Sequence, residues 1–255
     1  MLANKSAEQF NRQAAHYDAQ WNKWNEENLR WLLDRGRGQA RRVLDVATGS
    51  GFTALAFAAM AQSVEGVDVS TGMLSQARAN AAGFSNVSFW EAPAERLPFD
   101  AASFDLVTCR IAAHHFQSVP EFLSEAHRVL GPGGRLLIAD TCVPDGGGEA
   151  DRWQNEVELL RDTSHIRNYS PSEWAEFLDA AGFEAVELSS QDGAVPITFA
   201  DWLKKSGCTG APALRLREMF EQASTELRSA YHIEPAENGD LAFAWMRVLI
   251  NAVKR

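Results

Sequence analysis

Apolar and polar positions alternate along the chain in two rhythms. Short apolar runs read as buried strands, and longer stretches with apolar residues three or four positions apart read as amphipathic helices. In residues 6–31, Phe10, Tyr17, Trp21 and Trp24 lie close to a helical stripe, which predicts one or two helices. Val43, Leu44 and Val46 flank Asp45 in a buried strand that runs through Gly49 and Gly51 into a helix-forming stretch at residues 53–58. Residues 63–70, 86–90, 103–109 and 135–141 read as further strands. Helices are expected from Thr71, capped by Ser70, and over residues 119–130. Residues 131–134, Gly-Pro-Gly-Gly, are expected only to reverse the chain. Beyond the glycine-rich break at 144–148, the pattern predicts a helix at 153–160, a polar segment at 162–169, and a helix starting at Ser172 and stopped by Gly182. A strand at 183–188, helices at 198–205 and 212–231 and a last strand at 243–252 complete the reading, which is that of an α/β layered fold.

The turn around Gly49 and Gly51 carries the first chemical signal. Glycine lets a ligand approach the backbone closely, and the free N–H groups of the following helix present a partly positive surface. Residues 49–54 alone also fit a dinucleotide fingerprint. Asp45 argues against it, because a carboxylate beside a pyrophosphate is unfavourable, whereas beside the ammonium of an amino-acid-like ligand it is favourable. Asp68 ends the second strand about 20 residues beyond the glycines, the usual place for a carboxylate that accepts both ribose hydroxyls.

Composition narrows the classes. With 255 residues, 45% hydrophobic and 23% charged, the chain can bury one sizeable core with a lid. The expected division is an N-terminal helical lid at 1–40, an α/β core at 41–190, and inserted helices with the final strand of the same domain at 191–255. No apolar leader or run of about 20 apolar residues is visible, so a cytoplasmic protein without a membrane span is expected. Cys109, Cys142 and Cys208 are odd in number and lack metal-type spacing, which argues against a disulfide framework or a zinc site. A net charge of −10 argues against nucleic acid as partner, and the cluster Arg35, Arg37, Arg41 and Arg42 reads as a solvated helix end.

The run Asp45-x-Ala47-x-Gly49-x-Gly51 resembles the first motif of the class I S-adenosylmethionine-dependent methyltransferases, close to D-x-G-x-G-x-G, with Ala47 at the first glycine. Residues 10–18 resemble the family's opening pattern, and the likeness is strongest over 41–141, to the group that includes the ubiquinone and menaquinone C-methyltransferases. Residues 92–99 resemble the family's G-D-A-E-x-L-P-F segment, but Pro93 replaces the Asp that takes the adenine amino group. The resemblance implies a Rossmann-like, doubly wound, seven-stranded mixed sheet with helices on both faces, its last strand antiparallel, and a lid from the N-terminus and the inserted helices. It implies S-adenosylmethionine as cofactor, with contacts at Tyr17, Asp45, Ala47, Thr48, Gly49, Gly51, Asp68, Val69, Met73, Ala94, Glu95 and Arg110. The expected activity is methylation of a small organic acceptor at oxygen, nitrogen or carbon. His114 and His115, in the loop after the fourth strand, and His165 are the candidate proton acceptors, with two purely structural histidines as the competing reading. A metal bound by His114, His115 and either His165 or Glu156 is not specified by the spacing, and none is expected. A homodimer stays open. The alternatives are a protein of the same fold that does not methylate, either another enzyme or a ligand-binding regulator, and an NAD-dependent oxidoreductase.

Overall fold

The structure, a computed structural model, describes residues 5–17, 23–38, 40–191 and 196–255. Two helices, α1 (Lys5–Tyr17) and α2 (Lys23–Gly36), precede β1 (Arg42–Val46), α3 (Phe52–Ala58), β2 (Ser63–Asp68), α4 (Thr71–Asn80) and β3 (Val87–Glu91). Then come β4 (Phe104–Arg110), α5 (Val119–Val129), β5 (Leu130–Thr141), α6 (Glu149–Arg161), α7 (Pro171–Ala180) and β6 (Phe183–Gln191). The chain continues through β7 (Ile197–Thr198), α8 (Phe199–Ser206), α9 (Ala211–Glu221), α10 (Thr225–Ala230), β8 (Glu234–Pro235) and β9 (Leu241–Phe243), and ends on β10 (Arg247–Lys254).

Seven strands form one sheet in the order β3-β2-β1-β4-β5-β10-β6. The pairs from β3 across to β5 are parallel, while β10 runs antiparallel to both β5 and β6. Strand order reverses between β1 and β4, so the connections after these two strands leave in opposite directions and open a crevice at their carboxyl ends. Alternation along β1 feeds two cores. Leu44 and Val46 join Phe104, Phe122 and Trp174 on one face, and Val43 joins Phe57, Leu74 and Leu137 on the other. A third cluster, built on Trp153, Trp202, Phe220, Tyr231 and Trp245, packs α6 against the helices inserted before β10.

The expected fold class is the one observed, with differences in detail. The single helix expected at 212–231 is two helices, because the Ser224 hydroxyl accepts from the Leu227 N–H at 3.2 Å and starts a new helix. A small sheet, β7-β9-β8, has strands too short to show as periodicity, and it takes Phe243, which leaves β10 to begin at Arg247. Helix α7 starts one residue early, at Pro171, with Ser170 and Glu173 forming a reciprocal cap. The reversal at 131–134 is a bulge within β5, and a Cβ on Gly134 would stand 2.9 Å from the Gly131 carbonyl. Tyr17 and the Trp21 and Trp24 of the N-terminal stripe have side chains outside the described residues.

One glycine ties sheet to site. A Cβ on Gly66 would stand 2.6 Å from the Phe89 ring and 2.9 Å from Thr48 Oγ1. Gly66→Ala is therefore expected to lower the unfolding free energy by about 1 to 3 kcal/mol, as read by urea denaturation.

Candidate active site

The crevice at the carboxyl ends of β1 and β4 is a cleft that encloses about 850 Å³ when its mouth, open to solvent, is counted. Ala47, Thr48 and Gly49 from the turn after β1 line it, with Asp68, Val69 and Met73 from the end of β2 and the start of α4. Ala92, Ala94 and Glu95 line it from the segment after β3, and Arg110, Ile111, Ala112, His115, Phe116 and Gln117 from the end of β4 and its loop. Ser6 and Phe10 of α1 close it from above.

The turn is held by two carboxylates. Asp68 is 8% exposed and accepts from the Gly49 N–H on one oxygen and the Ser70 N–H on the other, both at 2.8 Å. Burial pushes its pKa up against those bonds. Asp45 is 1% exposed and accepts from the Thr48 hydroxyl and from the Thr108 hydroxyl on β4, both at 2.7 Å. Burial pushes it to about 6, opposed by those two hydroxyls and by the charge of Arg110. Asp45 was expected on the cofactor; the structure places it beneath the cleft, because both its oxygens face hydroxyls inside the sheet. Gly51 likewise lies off the cleft wall. Its φ of 90° starts α3, and a Cβ there would stand 3.2 Å from Ala77 Cβ and from the Phe89 ring.

Ala47 stands at φ 56°, the left-handed conformation that the glycine of the resembled motif would adopt without strain. Ile111 also has a positive φ, 55°, and is held by its N–H to the Ala139 carbonyl at 2.8 Å. A β-branched residue in that region is strained, and it lies on the cleft wall. Gly49, at φ 55°, has nothing within 4 Å of where a Cβ would be, so the backbone there is open to a ligand. Glu95 spends one carboxylate oxygen on the Gln117 and Ser118 N–H groups at 2.7 and 3.3 Å, joining the segment after β3 to the loop after β4.

The three histidines gather behind this loop. Ring centroids of His114 and His115 are 4.2 Å apart, and His165 stands 5.7 and 6.4 Å from them. His115 alone of the three lines the cleft, edge-on to Phe10 at 5.1 Å. His114 turns inward, its Nδ1 2.6 Å from Asp140 Oδ1. Burial pushes the His114 imidazolium down, but the charge and hydrogen bond of Asp140 together reverse this and leave its pKa above the ordinary value. Burial and the neighbouring His114 push His115 to about 3, and burial with both other rings pushes His165 to about 2. His165 bonds Asn155 Oδ1 at 3.0 Å through Nε2, away from the cleft. His114 and His165, expected as proton acceptors, are therefore set behind the wall. Among the described residues no group of three or more His, Cys, Asp and Glu side chains is disposed to hold a metal ion.

Asp140, Ile111, Ser6, Phe116 and Phe52, which also lines the cleft, were not singled out by sequence. Asp140 had a readable signal, an acidic residue near the end of a strand, as at Asp68.

Comparison with known proteins decides the family. Residues 44–138 match the model of the methyltransferase domain. The chain is 38% identical over 220 residues to the methyltransferase YcgJ of Bacillus subtilis, an uncharacterised protein, covering 84% of this chain and 85% of that one. The chain belongs to the class I S-adenosylmethionine-dependent methyltransferases. The crystal structure of YcgJ superposes with a TM-score of 0.83 at 33% identity, covering 90% of this chain and 99% of that one. The ubiquinone/menaquinone biosynthesis C-methyltransferase UbiE of Brucella anthropi is 29% identical over 207 residues, or 70% of this chain and 76% of that one. This methyltransferase therefore uses S-adenosylmethionine, and the open backbone at Gly49 beside the Asp68 carboxylate fits a nucleoside bearing an amino-acid group. Among the described residues no helix is long and apolar enough to cross a membrane.

The Asp45 carboxyl yields a pH test. Its folded pKa near 6 lies above the ordinary 3.8, so the folded state holds the extra proton between these values and stability falls as pH rises through that window. Asp45→Asn lacks this dependence. Relative to wild type, the variant is expected to gain on the order of 2 to 3 kcal/mol between pH 4 and pH 7, measured by urea unfolding at each pH.

Proposed function

We propose that the cleft transfers the methyl group of S-adenosylmethionine to a small, largely apolar organic acceptor. The sulfonium supplies an already electrophilic methyl, so the chain's tasks are alignment, exclusion of water and disposal of a proton. The carrying observation is the arrangement of Asp68 and Gly49, a carboxylate with spare lone pairs next to open backbone. In this reading Asp68 accepts from the ribose hydroxyls. Val69, Met73, Ala92 and Ala94 cover the adenine, which the Asp-to-Pro93 change leaves without its usual side-chain acceptor. Thr48, Gly49 and the Arg110 guanidinium, itself steadied by the Thr53 hydroxyl at 2.9 Å, hold the amino-acid end. Phe10, Ile111 and Phe116 offer the acceptor an apolar surface.

Helix α1 acts as a lid in the same reading. Asn11 Oδ1 accepts from the Ser70 hydroxyl at 2.7 Å and the Gly72 N–H at 2.8 Å, and Gln9 donates to the Ser206 carbonyl at 3.1 Å. These bonds span from α4 to α8 with Phe10 between them. His115, on the cleft wall, takes the proton that the acceptor loses. Burial and the His114 charge hold its pKa down at rest, so the ring meets the acceptor neutral, with one nitrogen able to take a proton.

Two measurements test the reading. Methyl-labelled S-adenosylmethionine is offered with phenols, amines and quinols, and the product mass spectrum shows whether oxygen, nitrogen or carbon is labelled. Label transfer to none of them would contradict methylation of a small acceptor. In calorimetry with S-adenosylhomocysteine, Asp68→Ala is expected to weaken binding by about 1.5 to 3 kcal/mol, the worth of charge-assisted hydrogen bonds. Asn11→Ala is expected to weaken it by about 1 kcal/mol by releasing α1. Unchanged affinity would remove Asp68 from the ribose or leave α1 as packing alone.

A further inference from the structure

Behind His115 lies a run of hydrogen bonds that cofactor binding does not use. The Ser164 hydroxyl donates to Asp162 Oδ1 at 2.6 Å, and its oxygen stands 3.2 Å from His115 Nδ1. A serine hydroxyl has one proton. With that proton committed to the carboxylate, the oxygen can only accept from the ring, so Nδ1 carries the imidazole proton and Nε2 keeps its lone pair. Asp162 is rigidly seated. It is 4% exposed, its Oδ1 also accepts from the Ser164 N–H at 2.9 Å, and its own N–H donates to the Glu158 carbonyl at 2.8 Å.

The loop that carries His115 is stitched to the same segment. The His114 carbonyl accepts from the Ile166 N–H at 2.9 Å and the Arg167 N–H at 3.2 Å. From the other side, Asp140 accepts from the Ala113 N–H at 2.7 Å and holds the His114 ring. The charged and titratable groups around His115 are thus His114 with Asp140, Asp162, and His165. One strained cleft-wall loop is fixed at both flanks, and the ring it presents has a single defined proton.

We propose that Asp162 and Ser164 are positioning residues for His115: they hold the tautomer whose Nε2 receives the acceptor's proton, and they stabilise the imidazolium that results. The role in turnover rests on the methyl-transfer reading; the tautomer does not. In that step the methyl carbon gains its bond to the acceptor atom and loses its bond to sulfur, whose electron pair stays on S-adenosylhomocysteine. The acceptor's bond to hydrogen breaks, its proton passes to Nε2, and it then leaves to solvent. The carboxylate of Asp162 stays ionised throughout and balances the ring charge through Ser164.

The test is long-range proton–nitrogen spectroscopy of the full chain labelled in histidine nitrogen, at pH 7 with S-adenosylhomocysteine present. His115 is expected to be neutral, protonated on Nδ1 and unprotonated on Nε2. Ser164→Ala is expected to shift its proton toward Nε2, and Ser164→Thr, which keeps the hydroxyl, to restore the wild-type pattern. A wild-type His115 protonated on Nε2 would overturn the proposal, as would a tautomer indifferent to Ser164→Ala. If the alanine variant does not fold, Asp162→Asn decides the matter. Its side-chain oxygen still accepts from Ser164, so the tautomer should persist while kcat on an accepted substrate falls about tenfold or more, with the KM for S-adenosylmethionine unchanged. An unchanged kcat would overturn the charge-balancing role. The expected tautomer without transfer to any acceptor would support the relay's geometry and count against methylation, so the two readings fail separately.

Discussion

Asp45 accepts one hydroxyl from the turn after β1 and one from β4, so a single buried carboxylate joins the two strands whose divergence opens the cleft. Burying that group is costly, and two short hydrogen bonds offset part of the cost. The consequences spread outward from it. Thr48, fixed by Asp45, also donates its N–H to the Val67 carbonyl at 2.9 Å and accepts from the Gly51 N–H at 2.9 Å. That sets Gly49 where its own N–H meets Asp68, so the Asp68 carboxylate and the open backbone beside it are positioned from below.

The opposite wall uses the same device with a different carboxylate. Asp140, 1% exposed, gathers the Ala113 N–H, the Thr141 N–H and the His114 ring at the end of β5. Its bonds hold the loop that contains the strained Ile111 and turn His114 away from the cleft, which leaves His115 facing it. A charged pair, His114 with Asp140, therefore sits directly behind a ring that burial and the His114 charge keep neutral, against the pull of Asp140. The two walls of the cleft are thus held separately, with one buried carboxylate serving each.

Much of this was legible in the sequence where a local pattern expresses the physics. The strand and turn from Val43 to Gly51, the acidic end of β2 at Asp68 and the Ser70 cap all follow from neighbours within a few residues. The hydroxyl partners of Asp45 could not be read from its neighbours alone, because the second, Thr108, lies 63 positions away, and no spacing announces that bond. The choice among His114, His115 and His165 was open for the same reason: Asp140, Asn155 and Ser164 decide which way each ring faces, and each comes from another element. Ile111 was invisible because nothing in a β-branched residue suggests a positive φ. The break at Ser224 was hidden by a helical pattern that continues across it.

The central claim is that the cleft between β1 and β4 is the cofactor site, organised by Asp68 and Gly49. A crystal structure of the chain with S-adenosylhomocysteine tests it most directly. The account predicts both ribose hydroxyls on the Asp68 carboxylate, the thioether sulfur on the His115 side of the cleft and α1 closed above it. Cofactor density outside this cleft, or a ribose out of reach of Asp68, would contradict it.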